Sequence, residues 1–289
     1  MKNKKSARNQ KTSEAGLLYR LASRVFNTPL LIDPRKFRTI LAVIGGRIGV
    51  LDLSAIPPMG QDDDMEELDD KEKPEDHTEG HSGVAVIPIH GTLVKRGSWM
   101  GAESGLTGYS TIEAMLDDAM RDDDCKAIVL DIDSPGGECC GLFELADKIL
   151  AAREIKPIVA VVNDLCCSAA YCLGAMASKM LITEIGVAGS IGCYMLHVDE
   201  SEADKKDGLK FTYIFSGERK VEGNPHEALS AELYEQLKGE CDAIRLMFAE
   251  RVAKSRGVAT KALLDTDAAT FMGKECIPLL ADRIGILSD

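Results

Sequence analysis

The sequence predicts an α/β domain with parallel strands, and three observations carry that prediction. Apolar runs at Val84–His90, Ala127–Ile132 and Ile158–Val162 read as short strands, the last two as buried parallel ones. Helical patterns near Ser110–Met120 and Gly141–Ala152 stand between them, the β-α-β-α-β alternation that crossover connections produce. The composition agrees. A chain of 289 residues that is 45% hydrophobic and 28% charged holds enough apolar material for a real core, and with 5% aromatics that core is built from aliphatic and small residues.

The elements follow in order from the front. Residues 1–38 carry ten basic side chains against Glu14 and Asp33, a local charge of +8. Within them Leu17, Leu18, Leu21, Ala22, Val25 and Phe26 recur at helical spacing, which predicts an amphipathic packing or docking helix. Arg20 and Arg24 interrupt it where the apolar stretch of a secretory signal must be uncharged. The apolar segment Thr39–Val50 is about a dozen residues long and holds Arg47, well short of the roughly 20 residues of a membrane span. Residues 61–80 carry eleven acids against Lys71 and Lys73, a charge of −9, with Pro74 inside. Such a strip buries too little to order itself. The expected organisation is a basic N-terminal element at 1–60, an acidic flexible linker at 61–81 and a folded domain at 82–289.

Beyond Asn163-Asp164, the small residues of Ser168–Ser178 suit a helix packed closely against other backbone. Short strands are expected near Ile191–Val198 and Phe211–Phe215. The clearest helix comes next, because Leu229, Leu233, Leu237, Cys241, Ile244, Phe248 and Val252 step by three or four and Ser230 is placed to cap it. The overall charge of −13 argues against nucleic acid and anionic membranes as partners. Nine cysteines, an odd count without any C-x-x-C, fit neither a disulfide framework nor a zinc site, and predict reduced thiols in a cytosolic compartment.

Two places can carry chemistry, each at the end of an expected strand. Asp133-Ser134-Pro135-Gly136-Gly137 reads as a strand-to-helix corner whose freed backbone can approach a ligand and offer N–H groups to an oxyanion. Ser168 opens the small-residue helix. It is either a cap or a nucleophile helped by the helix dipole and the Ala169 N–H. A nucleophilic serine needs a base. Among five histidines, His197 is the one near Ser168 in sequence, and it lies in an apolar run that suits a core role. Ser216-Gly217-Glu218-Arg219-Lys220 offers a lysine instead, and a lysine held in a desolvated cleft loses its charge readily.

Taken together, strand-SPGG-helix, the serine opening an Ala/Gly-rich helix, Gly189–Gly192 as GSIG and Ser216–Lys220 as SGxxK resemble the signal peptide peptidase A family of serine peptidases. Phe26-Asn27-Thr28-Pro29-Leu30, Gly91-Thr92-Leu93-Val94, Thr107-Gly108-Tyr109 and Lys220-Val221-Glu222-Gly223-Asn224-Pro225 are similar to its phage branch, the lambda-like capsid-assembly proteases. The resemblance implies a Clp-protease/crotonase-like fold of repeated ββα units with a small N-terminal element, and a catalytic domain at 82–289. It implies Ser168 as nucleophile, Lys220 as general base, and Gly136, Gly137 and Ala169 as the oxyanion hole. No metal or other cofactor is implied. The expected partners are phage head proteins (portal, scaffold, major capsid) and further copies of the chain, met in the host cytoplasm and the interior of the procapsid.

Overall fold

The computed structural model describes residues 25–38, 40–41, 83–96 and 105–286. The acidic strip and most of the basic leader lie outside the described residues, and so does Thr39–Val50 apart from Ile40 and Leu41.

Strand β2 (Val84–Val94) leads through β3 (Leu106–Gly108) into helix α1 (Tyr109–Arg121). Strand β4 (Ala127–Glu138), helix α2 (Leu142–Ala152), strand β5 (Ile158–Cys167), helix α3 (Ala169–Gly174) and strand β6 (Lys179–Ile182) continue the alternation. Strands β3, β2, β4, β5, β6 and β9 (Arg283–Ile284) lie side by side in that order, all parallel. The expected α/β class is the observed one.

Side chains alternate along β4, whereas β5 is buried on both faces over Ala160, Val161 and Val162. In β4, Ile128, Leu130 and Ile132 are fully buried, whereas Ala127, Val129 and Asp131 are half-buried and Asp133 is exposed. The buried face packs on Ile112 and Leu116 of α1, Leu145 and Ile149 of α2, and the whole of α3. The long helix α5 (Ala231–Arg256) completes that layer only with its C-terminal half, through Phe248, Ala249, Val252 and Ala253. Ser230 caps it as expected, accepting the Leu233 N–H at 3.1 Å. Ser255 of the same helix donates to the Ala175 carbonyl at 2.6 Å, which ties the end of α3 to α5.

Three sequence expectations are corrected. The Pro-Gly-Gly corner is not a turn into a helix. It is the last stretch of β4, set off by a register shift between Ile132 and Ser134. The region Ile191–Val198 forms only single bridges, at Tyr194 and Leu196. Phe211–Phe215 forms no strand. It runs exposed, with Ile214 98% accessible, because no strand among the described residues pairs with it.

The sequence pattern did not show β1 (Leu30–Ile32), which pairs antiparallel with β4 in the register Leu30↔Glu138, Leu31↔Gly137, Ile32↔Gly136. Its other edge meets Tyr194, since the backbones of Leu30 and Tyr194 exchange hydrogen bonds at 2.9 and 3.2 Å. Part of the N-terminal element is therefore built into the sheet. Val25, Leu30, Ile32 and Phe37 form a small second core with Tyr194 and Leu196, and the Phe37 and Tyr194 rings meet edge to face at 5.2 Å.

Candidate active site

Ser168 stands at the junction of β5 and α3, and its backbone is strained. Its φ of 57° and ψ of −118° lie in a region that L-residues rarely enter, a cost of roughly 1–3 kcal/mol. The surrounding bonds hold it there. The Ser168 N–H donates to the Gly189 carbonyl at 2.8 Å, and the Ser168 carbonyl accepts the Cys172 N–H at 3.0 Å. Its side chain is not a cap. The Oγ is fully buried and has no hydrogen-bond partner among the described residues.

The glycine corner closes against this serine. A Cβ on Gly136 would sit 2.2 Å from the Leu31 carbonyl oxygen and 2.9 Å from both the Ala169 nitrogen and the Cys167 oxygen, and Gly136 has a φ of +98°. Only glycine lets these backbones meet. Gly137 has no room for a side chain either, since a Cβ there would lie 1.8 Å from the Leu93 oxygen. Ser134, fully buried, donates to the Gly91 carbonyl at 2.6 Å and accepts the Gly136 N–H at 3.2 Å. The Gly136 N–H is thus committed to Ser134, and the Gly137 N–H is left on the side that faces β1.

The direction of that donor follows from the ladder. Asp33 N–H donates to the Pro135 carbonyl at 2.8 Å. Hydrogen-bonded and non-bonded pairs alternate along antiparallel strands. The register therefore turns Leu31, opposite Gly137, toward β4, while Leu30 exchanges its bonds with Tyr194 on the other side.

Cys167 precedes the serine and is the nearest rival nucleophile. Burial, with the Asp33 carboxylate nearby, pushes its thiol up to about 12, so it stays protonated at neutral pH and is a poor nucleophile. His197 turns its Nδ1 to the Asn27 side-chain oxygen at 3.2 Å, and its Nε2 is buried with no partner among the described residues. It does not bond Ser168.

The expected base lies elsewhere. Lys220 ends a short 3₁₀ turn, Glu218–Lys220, in an exposed arm that runs from Leu209. Ser168 Oγ has no partner among the described residues, so Lys220 is not hydrogen-bonded to it in this structure. The arm leans back where Phe211 stacks on His226 at 3.6 Å and His226 Nδ1 meets Asp204 at 2.8 Å, and where Arg219 donates to the Gln236 side-chain oxygen at 3.0 Å. The structure thus brings Gly136 against the backbone on either side of Ser168, with Gly137 next along β4, and does not hydrogen-bond Lys220 to the serine. Sequence reasoning passed over Ser134, the group that fixes the corner. Its place in the Pro-Gly-Gly motif was the available signal.

Among the described residues no helix is long and apolar enough to cross a membrane. Residues 151–289 match the model of peptidase family S49. The chain is 37% identical over 282 residues to the capsid assembly protease C of Escherichia phage lambda, covering 94% of this chain and 64% of that protein. It is 39% identical over 280 residues to the head-tail preconnector protein GP5 of Enterobacteria phage P21, covering 94% and 56%. A chloroplastic serine protease SPPA of Arabidopsis thaliana is 25% identical over 218 residues, 73% of this chain and 32% of that one. The chain thus spans a little over half to just under two thirds of the length of its two phage relatives.

Proposed function

We propose that the chain, whose residues 151–289 match the model of peptidase family S49, is a serine endopeptidase of the phage or prophage head-maturation type. It cleaves portal, scaffold or its own chain during capsid assembly, in the host cytoplasm and inside the procapsid. The observation that carries this reading is Ser168, whose hydroxyl is buried and unpartnered on strained backbone beside the Ala169 N–H and the glycine corner. Buried hydroxyls are normally satisfied and strain is normally relaxed, so both together at one serine fit a nucleophile.

In the proposed reaction, Ser168 Oγ attacks the scissile carbonyl carbon while a neutral Lys220 Nζ takes its proton. The negative charge on the carbonyl oxygen is held by the N–H groups of Ala169 and Gly137, with Gly136 supplying the close approach. Collapse of the tetrahedral intermediate breaks the C–N bond, and the lysine returns the proton to the leaving amine. Water deprotonated by the same lysine then hydrolyses the Ser168 ester.

In this reading the lysine arrives from another copy of the chain. The arm that carries Lys220 exposes Leu209, Phe211, Tyr213, Ile214 and Phe215, each at least 44% accessible, which fits a surface covered by a second subunit. Co-expression with candidate head proteins, wild type beside Ser168→Ala, tests the reading. New head-protein fragments from wild type alone are expected, and identical band patterns would overturn it.

A further inference from the structure

We propose that Phe26–Ile32 lie in the groove that an extended substrate occupies during cleavage, so that the chain carries its own competitor for the site. The word substrate rests on the peptidase reading above, but the placement of the segment does not. β1 is held between two edges. Gly136–Glu138 pair with it on one side, and Tyr194 and Leu196 bridge it on the other through Leu30 and Phe26. This is how an extended peptide is gripped when it adds itself to sheet edges, with main-chain bonds giving affinity and alternate side chains giving selectivity.

The position of β1 along that groove is the telling part. The Leu31 carbonyl oxygen lies against Gly136, whose other close neighbours are the Ala169 N–H and the Cys167 carbonyl on either side of Ser168. The ladder turns the same residue toward the Gly137 N–H. A main-chain carbonyl of the chain itself thus stands beside both donors assigned to the oxyanion.

The fit is tight but not complementary. Leu30, Leu31 and Ile32 are 5%, 0% and 4% accessible, so the groove takes aliphatic side chains. Yet the buried side-chain polar atoms without partners among the described residues are Ser168 Oγ, Tyr194 Oη and His197 Nε2. Tyr194 is bonded through its backbone to Leu30, His197 touches Asn27, and Ser168 flanks the Gly136 contact. The segment lies next to these residues and satisfies none of the three atoms, which disfavours it as a permanent lid and favours its exchange. Toward its N-terminal end the groove opens into a hollow of about 420 Å³ beside Thr28 and Pro29, lined by Cys139, Phe143, Ile244 and Met247. Extended segments rich in aliphatic residues are therefore the substrate class the groove selects.

The anchor of the segment is separate from the catalytic residues. Phe37 packs on Tyr194, and Asp33 accepts the Arg35 N–H at 2.9 Å and the Lys36 N–H at 3.4 Å in the turn after β1. The test uses the full chain with Ser168→Ala, to prevent turnover, and a fluorescein-labelled peptide with the sequence of residues 26–33. Phe37→Ala or Asp33→Ala added to that chain should raise the fraction with an open groove and tighten apparent peptide binding about tenfold or more. Bound peptide should also speed amide exchange at Leu30–Ile32. Unchanged or weaker binding in a variant that still melts cooperatively would overturn the proposal, and so would loss of the cooperative melt in both variants, since β1 would then be core. Hydrolysis of unfolded casein with Ser168 intact is scored separately. If no chain cuts casein and no fluorophosphonate labels Ser168, the peptidase reading falls, while the displacement result alone decides the groove.

Discussion

The neighbourhood of Ser168 and the arm that carries Lys220 are opposite kinds of structure. Around Ser168, Cys166, Cys167, Ala169, Ala170, Tyr171 and Cys172 are all fully buried, and the serine's backbone N–H and carbonyl both have partners. Along the arm, Leu209, Phe211, Tyr213, Ile214 and Phe215 are large apolar side chains left in contact with water. One chain can finish the first region by itself, because its tolerances are set by sheet register and close backbone contact. The second has side chains suited to a core and no core of its own to join. Under the proposed reading, a site split in this way would place the nucleophile on the rigid half and make activity depend on whatever covers the other half.

The largest expected effects test the two halves directly. Ser168→Ala should remove proteolysis by about 10⁶-fold, as loss of a serine nucleophile does elsewhere. It should leave the melt nearly unchanged, since the hydroxyl makes no bond that would be lost. Kinetics on an unfolded substrate and a thermal melt check both parts. Lys220→Arg should be as inactive as Lys220→Ala, because arginine keeps the charge but gives up no proton at working pH. Mixing the Ser168→Ala and Lys220→Ala chains sharpens the comparison. If the dyad forms between chains, the mixture regains activity that neither variant has alone. A mixture that stays inactive would place both groups in one chain and break the proposed division.

Much of the rigid half was legible in the sequence, and the reason is local. The Pro-Gly-Gly corner and a serine opening a small-residue helix are forced by close backbone approach, which leaves glycine and alanine at positions one can read. The same clarity stops where pairing is made by distant segments. The second half of β4, Asp133–Glu138, holds Pro, Gly and Ser rather than a strand former, and becomes strand only because β1 and β2 lie on either side. β1 itself is three residues long, too short for a periodic signal. The arm misled for the opposite reason. Phe211, Tyr213 and Phe215 alternate as a strand would, but a strand needs an edge to pair with, and the described residues offer none there.

A middle-sized effect separates shape from chemistry at the corner. Gly137→Ala would drive a methyl to 1.8 Å from the Leu93 oxygen, and both atoms belong to paired strands with little freedom to move. The expected result is a destabilisation of about 3 kcal/mol or more, above the usual range for single substitutions. Ile214→Glu on the arm should do the reverse. A side chain 98% accessible contributes almost nothing to the monomer, so the melt should hold while activity falls and becomes steeply dependent on protein concentration. Analytical ultracentrifugation beside the assay checks it, and activity equal to wild type at all concentrations would show that the arm covers nothing.

The last effect concerns pH and belongs to the rigid half alone. Burial pushes the Cys167 thiol up to about 12, and it also raises the thiols of Cys166 and Cys172. In the unfolded chain these groups ionise near their ordinary value of about 8.5. Between that value and the folded one, the unfolded state binds fewer protons, so folding stability falls as pH rises. The contribution is complete below about pH 8.5 and is lost progressively above it, by at most about 1.4 kcal/mol per pH unit for each thiol. Melting temperature measured from pH 7 to 10.5 should therefore be flat and then decline. Cys167→Ala should make the decline shallower, at some cost in packing near neutral pH. Thiol alkylation of the folded chain sharpens the point, since Cys140, which is exposed, should react well before Cys167. If Cys167 is instead alkylated rapidly at pH 7 with loss of activity, the cysteine and not the serine beside it would be the reactive group, and the rigid half would have been assigned the wrong nucleophile.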